Sequence, residues 1–304
     1  MTMSRRVLRS TSRDEPTDVV GLPTQYQLKQ DLAQTVQPLP GKLTSKSTGL
    51  QKQDLATLIL KRSKLQSPSS RVLEFISDFP CDPSSTALID AARSTLVFAQ
   101  HEAGTAVCIA ASGLLLTCSH CVAESPEESV GSKHWLIFSS GRAVQTECVA
   151  WDARRDLALL QIVAAEGAEN GSLAIYPFAT IARKAPVTPR TKKTPLICIG
   201  HPGSEDLEVV ATSAPVPTNY DVLHVSYGHY RGMAVGQDVH DNSDIGALKH
   251  DCWTYWGHSG APLIATECGE VMGLHSSWDD QTGMRRGIGW EAIDGFLTEW
   301  CTKL

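Results

Sequence analysis

A serine stands between two glycines in the stretch TYWGHSGAPLI, residues 254–264. Gly257 and Gly260 allow the backbone to bend sharply and to turn its N–H groups inward beside the hydroxyl of Ser259. This arrangement suits acyl transfer, because the hydroxyl attacks a carbonyl while the N–H groups stabilise the oxyanion that forms. Taken alone, the stretch favours an ordinary Gly-Ser turn before a strand, because such turns are common. The chemistry therefore depends on whether the chain also supplies a base.

A candidate base and a candidate acid to orient it occur earlier in the chain. His120 follows the apolar segment GLLLTCS, although a single histidine after a strand is usually an ordinary, partly exposed residue. Asp156 directly precedes LALL, and a carboxylate at the start of a buried strand must be hydrogen-bonded to be tolerated. Asp152 competes with it but lies four residues from the apolar segment, in the preceding loop. The order is therefore base, orienting acid and nucleophile.

Two sets of short β-rich segments must position these residues. The first set is STLVFAQ, GTAVCIA, GLLLTCS, HWLIFSS, AVQTECVAW and LALLQIV; the second is TPLICIG, LEVVATSA, DVLHVSY, APLIAT and VMGLHSS. Two such sets, separated by the Pro- and Lys-rich segment RKAPVTPRTKKTP, predict an all-β protein with two barrels or sandwiches, at about residues 94–185 and 190–290. The base and the acid fall in the first set and the serine in the second. We therefore expect the site in the cleft between the barrels.

The flanking segments differ in composition from the barrels. Residues 1–50 are rich in Ser, Thr, Gln, Pro and Lys, which predicts a disordered tail. Residues 51–93 contain helical apolar spacing and predict a helical extension, with Ser85 as a candidate cap for its last helix. WEAIDGFLTEWC predicts a C-terminal helix at about residues 290–302.

Bulk composition excludes several classes of protein. The chain has 304 residues, 42% of them hydrophobic, and a formal net charge of −6. This mild acidity gives no reason to expect nucleic acid as a partner, and no apolar run is long enough to cross a membrane. The N-terminus has basic residues but no apolar segment after them, so a secretory signal is not expected and an intracellular location is.

Nine cysteines are scattered along the chain, and an odd number in this setting predicts mostly free thiols. Cys118 and Cys121 form a C-x-x-C that encloses His120, which a zinc or redox site would use. No second pair lies at zinc-finger spacing, so buried thiols beside a functional histidine are favoured. The sequence predicts no metal and no cofactor.

Three stretches resemble the motifs of the trypsin/chymotrypsin-like serine proteases. GHSGAP resembles their G-x-S-G-[GAS]-P, LLTCSHCV resembles L-T-A-A-H-x-V, and RRDLALLQI resembles H-D-L-A-L-L, in the same chain order. The resemblance implies two six-stranded antiparallel barrels of the chymotrypsin-like fold and a protein or peptide substrate. It also implies Ser259 as nucleophile, His120 as general base and Asp156 as its orienting acid, with an oxyanion hole from the backbone N–H groups of Gly257 and Ser259.

Some features depart from the digestive members of that family. His258 occupies the position of the aspartate that binds a freed N-terminus in those enzymes, so this mode of activation is not expected. ICIGHPGS and GEVMGLHSS are closer to the branch that contains HtrA and the glutamyl endopeptidases. Cys121 follows the histidine, as a cysteine does in the digestive enzymes, and Cys108 is its possible partner. Without a signal peptide we expect both to be reduced.

The resemblance also implies where substrate binds. Ser276 and Ser277 would line the mouth of the specificity pocket, and Trp253 would stand at its base, where a large ring leaves a shallow or reshaped pocket. Trp278 replaces a glycine that usually keeps the pocket open.

Two pocket positions match those of the glutamyl endopeptidases. His275 falls where that group places the histidine that receives an acidic side chain, and Thr254 matches a pocket threonine. Arg285 and Arg286 add positive potential nearby. This suggests a preference for Glu or Asp before the scissile bond (the P1 position). If protonated His275 supplied the charge, the preference would weaken above the usual histidine pKa of about 6.5. The alternative is that His275 is a packed, structural residue.

Two other classes of function remain open. The first is a catalytically silent protease fold that binds proteins, which the nonstandard Cys118-Ser119 and the bulky pocket residues favour. The second is a nuclear or chromatin factor, suggested by SRRVLRSTSR, although a short basic run of this kind is usually a solvated tail. An activity-based probe for nucleophilic serines separates the first class from an active enzyme.

Overall fold

The computed structural model of the protein describes residues 36–67, 70–78, 83–99, 104–168, 175–182, 193–205 and 216–303. In chain order the elements are β1 (Gln37–Pro38), α1 (Ser45–Thr48), α2 (Lys52–Leu65), α3 (Arg71–Asp78), α4 (Pro83–Arg93), β2 (Thr95–Phe98), β3 (Thr105–Ala110), β4 (Leu114–Thr117), α5 (Pro126–Ser129), β5 (Lys133–Phe138), β6 (Ala143–Asp152), β7 (Leu157–Ala165), β8 (Pro195–Gly200), β9 (His224–Met233), β10 (Leu248–His250), β11 (Pro262–Ala265), β12 (Val271–Trp278), β13 (Arg285–Gly289) and α6 (Trp290–Lys303).

The strands form two antiparallel barrels, as the sequence predicts. Strands β2 to β7 make the first, in the order β7-β4-β3-β2-β5-β6, and a β6–β7 pairing closes it. Strands β8 to β13 make the second, closed in the order β10-β13-β12-β11-β8-β9. Each barrel has six strands and encloses its own apolar core. The fold is therefore all-β and chymotrypsin-like, with a C-terminal helix.

Buried apolar residues lie opposite each other on neighbouring strands of each barrel. In barrel one Leu115 of β4 lies opposite Leu160 of β7, and both side chains are fully buried. In barrel two Cys198 of β8 lies opposite Leu263 of β11, and both are also fully buried. The β-rich segments within the described residues form strands whose apolar side chains fill a barrel interior.

The segment just before residue 50 differs from the expected disordered tail. Residues 1–35 lie outside the described residues, but β1 and α1 occupy part of 36–50. Strand β1 runs parallel to β7, and Val36 is buried in the core of barrel one. Low-complexity composition hid these contacts because they use single apolar residues rather than a periodic pattern.

The helical extension is present as α2, α3 and α4, and α2 contacts barrel one through a buried lysine. Lys61 of α2 is only 5% exposed, and its Nζ donates to the carbonyl of Phe98 at 2.8 Å. Ser85 is not the cap of the last helix, because α4 begins at Pro83 and places Ser85 inside its first turn.

The second barrel contains two strands that the pattern did not indicate. Strand β10 has three residues, and β13 carries two arginines and two glycines in RRGIG, so neither has the length or apolar alternation of a predicted strand. The predicted strand LEVVATSA lies outside the described residues. None of the helices within the described ranges is long and apolar enough to cross a membrane.

Candidate active site

His120 and Asp156 meet in barrel one. His120 lies in a short 3-10 helix, Ser119–Cys121, that follows β4, and Asp156 is the last residue of the turn before β7. The imidazole Nδ1 lies 2.8 Å from Asp156 Oδ1. The same oxygen accepts from the Ser119 hydroxyl at 2.9 Å and from the His120 backbone N–H at 3.3 Å. This carboxylate is buried, and its three donors provide the hydrogen bonds that a buried carboxylate needs.

The local backbone explains how these two residues are held. Asp156 has φ = 53°, a left-handed conformation that is uncommon for residues other than glycine and occurs mostly in tight turns. The indole N–H of Trp151 donates to the Ser119 carbonyl at 3.0 Å and ties the 3-10 helix to β6. Asp152 instead forms an ion pair with Arg155 at 2.7 Å. Of the two candidate acids, Asp156 is the one that contacts His120.

The loop that carries Ser259 is bonded to the start of β3 in the other barrel. The N–H groups of Gly104 and Thr105 donate to the carbonyls of Gly257 (3.1 Å) and Ser259 (2.9 Å). Gly260 has φ = 81°, and a Cβ on it would lie 2.0 Å from the carbonyl oxygen of Thr105. Glycine is therefore required at position 260, where the serine loop lies against the start of β3.

A hydrogen bond fixes the orientation of the peptide between Trp256 and Gly257. The Trp256 carbonyl accepts from the Gly203 N–H at 2.6 Å. Because a trans peptide directs its C=O and N–H to opposite sides, the Gly257 N–H points away from Gly203. Among the described residues, no acceptor bonds to this N–H or to that of Ser259. Two backbone donors are therefore available beside the serine.

The structure does not place the Ser259 hydroxyl on His120. The hydroxyl donates to the carbonyl of Ser276, on β12, at 3.2 Å. The Cys121 sulfur lies near the same loop, 3.6 Å from the Ser259 carbonyl. The hydroxyl can change its acceptor by a low-barrier rotation about one single bond.

The charge state of His120 reflects competing effects. Burial of part of the ring disfavours the imidazolium, but the Cys121 sulfur and the Asp156 carboxylate outweigh it and raise the pKa of His120 above its usual value. The side chain is half exposed, at 50% of its accessible surface. Asp156 thereby stabilises the imidazolium that forms when the ring takes up a proton, whereas action as a base requires the ring to be neutral beforehand.

The expected pocket residues lie around a buried histidine pair. His275 is 1% exposed, and its Nδ1 lies 3.1 Å from Nε2 of His250. Burial, followed by the neighbouring His250, moves the pKa of His275 well below its usual range. His275 is therefore neutral, which contradicts the idea that its protonation supplies charge to the pocket.

Thr254 and Arg285 add polar groups to the same region. Thr254 is 2% exposed, and its hydroxyl has no partner among the described residues. Arg285 Nη2 donates to the Thr254 carbonyl at 3.4 Å. The unpaired hydroxyl is notable because a buried polar group without a partner is costly.

Aromatic rings occupy the positions that the sequence marked as restrictive. Trp253 packs edge-on against His224 with ring centroids 4.6 Å apart and lies parallel to Tyr255 at 6.3 Å. Trp256 and Trp278 also meet edge to face, at 4.6 Å. These contacts hold each of the rings against an aromatic neighbour.

Ser276 and Ser277 lie on β12, with their hydroxyls 3.3 Å apart, and Ser277 Oγ accepts from the Gly246 N–H at 3.2 Å. Strand β11 pairs with β12 as far as Leu274, and the serine loop continues this contact through bonds of Gly260 and Ala261 to His275. Past His275, no described strand pairs with this side of β12, where the Ser276 carbonyl accepts the Ser259 hydroxyl. This short edge of the sheet is therefore open to an added strand.

Sequence reasoning missed three residues that hold the site. Ser119 and Trp151 fix the histidine turn, and Gly203 orients the Trp256 peptide. The only signal for the first was the unusual Cys-Ser before His120. The other two bonds join residues that are distant in sequence, so no local pattern could have indicated them.

Two closed barrels, with a His–Asp pair on one and a glycine-flanked serine on the other, define the chymotrypsin-like class. The chain belongs to the trypsin-like peptidase family, whose domain model matches residues 104–274. Among solved structures it is similar to one titled "HtrA-type protease AlgW with decapeptide", at 20% identity and a TM-score of 0.44. That similarity covers 64% of this chain and 50% of the other, so the chain spans about half of that protein's length. No curated protein matches the chain.

Proposed function

We propose that the protein is a serine endopeptidase that cleaves protein or peptide substrates through Ser259, His120 and Asp156. The observation that carries the proposal is the 2.8 Å contact between His120 Nδ1 and the buried Asp156, which leaves Nε2 of the ring to serve as the base. The serine would attack the scissile carbonyl as Nε2 takes its proton, and Nε2 would then donate this proton to the leaving amine. The N–H groups of Gly257 and Ser259 would stabilise the oxyanion.

The rotamer of Ser259 suggests how substrate prepares the nucleophile. The Ser276 carbonyl that now accepts the serine hydroxyl lies on the open edge of β12. A substrate strand added to this edge would donate its own N–H groups to β12 carbonyls and would compete with the hydroxyl for that acceptor. The released hydroxyl would then rotate toward His120.

The test of this function is labelling of the full chain with a fluorophosphonate probe, together with peptidase assays. Ser259→Ala should abolish both labelling and cleavage, and His120→Ala should be comparably inactive because these residues act as a unit. Ser277→Ala, which also removes a hydroxyl near the cleft, is the matched control and should still be labelled. Wild-type protein that folds but is never labelled would favour the alternative of a silent, protein-binding protease fold.

We further propose that the pocket prefers Glu or Asp at P1 and recognises the carboxylate with neutral donors. With His250 Nε2 as the donor in the histidine pair, His275 presents its own Nε2–H, and the Thr254 hydroxyl is a second donor without a partner. The guanidinium of Arg285 adds positive potential, and its hydrogen bond to the Thr254 carbonyl places it in this region. A carboxylate in this place would satisfy the unpaired hydroxyl.

Peptides that differ only in Glu or Leu at P1 would test this preference. Thr254→Val keeps the side-chain volume but removes the donor, and a lost bond to a charged group costs about 1.5–3 kcal/mol. We expect kcat/KM for Glu to fall by about 10- to 150-fold relative to Leu. Because His275 is neutral, the ratio should not change between pH 6 and 8. Efficient cleavage after small apolar residues, with Glu ignored, would contradict the preference while leaving the endopeptidase assignment intact.

A further inference from the structure

Two thiols flank His120, and acyl transfer uses neither of them. Cys118 directly precedes the 3-10 helix and Cys121 ends it, with the Cys121 N–H donating to the Cys118 carbonyl at 3.2 Å. Both sulfur-bearing side chains therefore leave the same tight turn as the imidazole. The motif L-T-A-A-H-x-V, which LLTCSHCV resembles, has alanine at position 118. The sulfur beside the histidine is thus a departure of this chain from that motif.

Cys118 faces the His–Asp pair from the protein interior. Its Sγ, a ring nitrogen of His120 and a carboxylate oxygen of Asp156 all lie within 4.8 Å of one another. Cys118 is fully buried, and its thiol also donates to the carbonyl of His275 at 3.5 Å. The sulfur is therefore held in place against the pair by the second barrel.

This set of atoms has the chemistry of a zinc site. Zn²⁺ binds thiolate sulfur at about 2.3 Å, imidazole nitrogen at about 2.0 Å and carboxylate oxygen at about 2.0–2.2 Å, in a tetrahedron. Neighbouring ligand atoms in such a tetrahedron are about 3.5 Å apart. The His120 Nδ1 to Asp156 Oδ1 distance of 2.8 Å must therefore open by about 0.7 Å, while any longer distance within the 4.8 Å limit of the set must shorten. Mg²⁺ and Ca²⁺ prefer sites made of oxygen alone, which a buried thiol does not suit.

Cys121 is the second thiol of this turn. Its side chain is partly buried, and its sulfur is 3.6 Å from the Ser259 carbonyl. Because it leaves the same turn as Cys118 and His120, it is the candidate for a fourth ligand.

We propose that Cys118, His120 and Asp156 bind Zn²⁺, with Cys121 as the fourth ligand, and that the bound ion reversibly switches off the peptidase. The protons of the two thiols and of the imidazole nitrogen pass to solvent when the metal binds. The ion then occupies the contact through which Asp156 orients His120, and the imidazole can no longer work as a base for Ser259. The inhibition rests on the proposed function, but the metal binding does not.

Cobalt titration tests the metal site without any need for activity. We would titrate Co²⁺ into the reduced full-length chain that carries Ser259→Ala and record its absorption spectrum. Thiolate-to-cobalt charge transfer in the near ultraviolet and intense visible bands of a tetrahedral ion are expected, and Zn²⁺ should remove both. Cys118→Ser keeps a hydrogen-bond donor but removes the sulfur, and should weaken binding by more than about 100-fold.

Controls separate loss of the ligand from loss of the fold. Cys148→Ser alters another buried thiol of barrel one and should bind Co²⁺ as the parent does. His120→Ala truncates a half-exposed side chain and should abolish the tetrahedral spectrum even if Cys118→Ser fails to fold. A spectrum without thiolate charge transfer, or unchanged affinity in His120→Ala, would overturn the proposal.

The enzyme assay then gives an independent outcome. If the wild type is an active peptidase, Zn²⁺ should inhibit it at the concentration that displaces Co²⁺, and a chelator should restore activity. Metal binding by a chain that never cleaves peptides would leave the zinc site standing and refute the proposed function. Activity that persists with the site fully occupied would refute the switch.

Discussion

Buried histidines should make this protein unusually sensitive to mild acid. His250, His258 and His275 are each at most 1% exposed. Burial, followed by the charge of Arg285, lowers the pKa of His250 to about 3, and burial, followed by His224, lowers the pKa of His258 to about 3. The pKa of His275 is likewise moved well below its usual range by burial.

The sign of the effect follows from which state binds the proton. In the unfolded chain a histidine takes up a proton below about pH 6.5, whereas in the folded protein these three stay neutral until much lower pH. The unfolded state therefore binds more protons between about pH 6.5 and pH 3, and stability falls as pH falls through this window. Each histidine contributes about 1.4 kcal/mol per pH unit near pH 5, so the three together contribute about 4 kcal/mol per pH unit. A loss of this size over one or two pH units is comparable with the whole stability of a typical domain.

His258→Asn tests this reasoning. Its Nδ1 lies 3.1 Å from both the N–H and the carbonyl of Tyr255, and an asparagine amide can replace those contacts without titrating. Proton uptake on unfolding near pH 5, measured by calorimetry in two buffers of different ionisation enthalpy, should fall by about one proton relative to wild type. Equal uptake by wild type and His258→Asn would refute the argument, whatever the variant does to overall stability.

Two further predictions concern the barrels. Gly260→Ala should lower the free energy of unfolding by about 3 kcal/mol or more, or prevent folding, because its Cβ would meet the Thr105 carbonyl oxygen at 2.0 Å. Gly236→Ala is the control for backbone strain alone, because Gly236 has positive φ but open space around it. Similar melting temperatures for the two variants would contradict the reasoning. All eight cysteines in the described part of the chain, including Cys108 and Cys121, are free, so a strong reductant should change the melting temperature by no more than about a degree; a large decrease would reveal a bridge that the folded chain depends on.

Local sequence determined the architecture and the residues that are candidates for catalysis. Alternating and continuous apolar segments, broken by Gly, Pro and Ser, predicted the barrels because a half-buried or buried strand needs that pattern wherever it lies. GHSGAP, LLTCSHCV and RRDLALLQI fixed Ser259, His120 and Asp156 as candidates. Short strands such as β10 and β13 escaped prediction because their pairing partners, rather than their own residues, make them strands.

The tertiary structure decided how those residues interact. Burial and a neighbouring ring hold His275 neutral, the Ser276 carbonyl holds the Ser259 hydroxyl away from His120, and Cys118 meets the carboxylate of Asp156. Each of these facts depends on desolvation or on a contact between residues far apart in the chain. Sequence patterns report local periodicity and residue type, whereas protonation and rotamer depend on what the rest of the fold brings alongside.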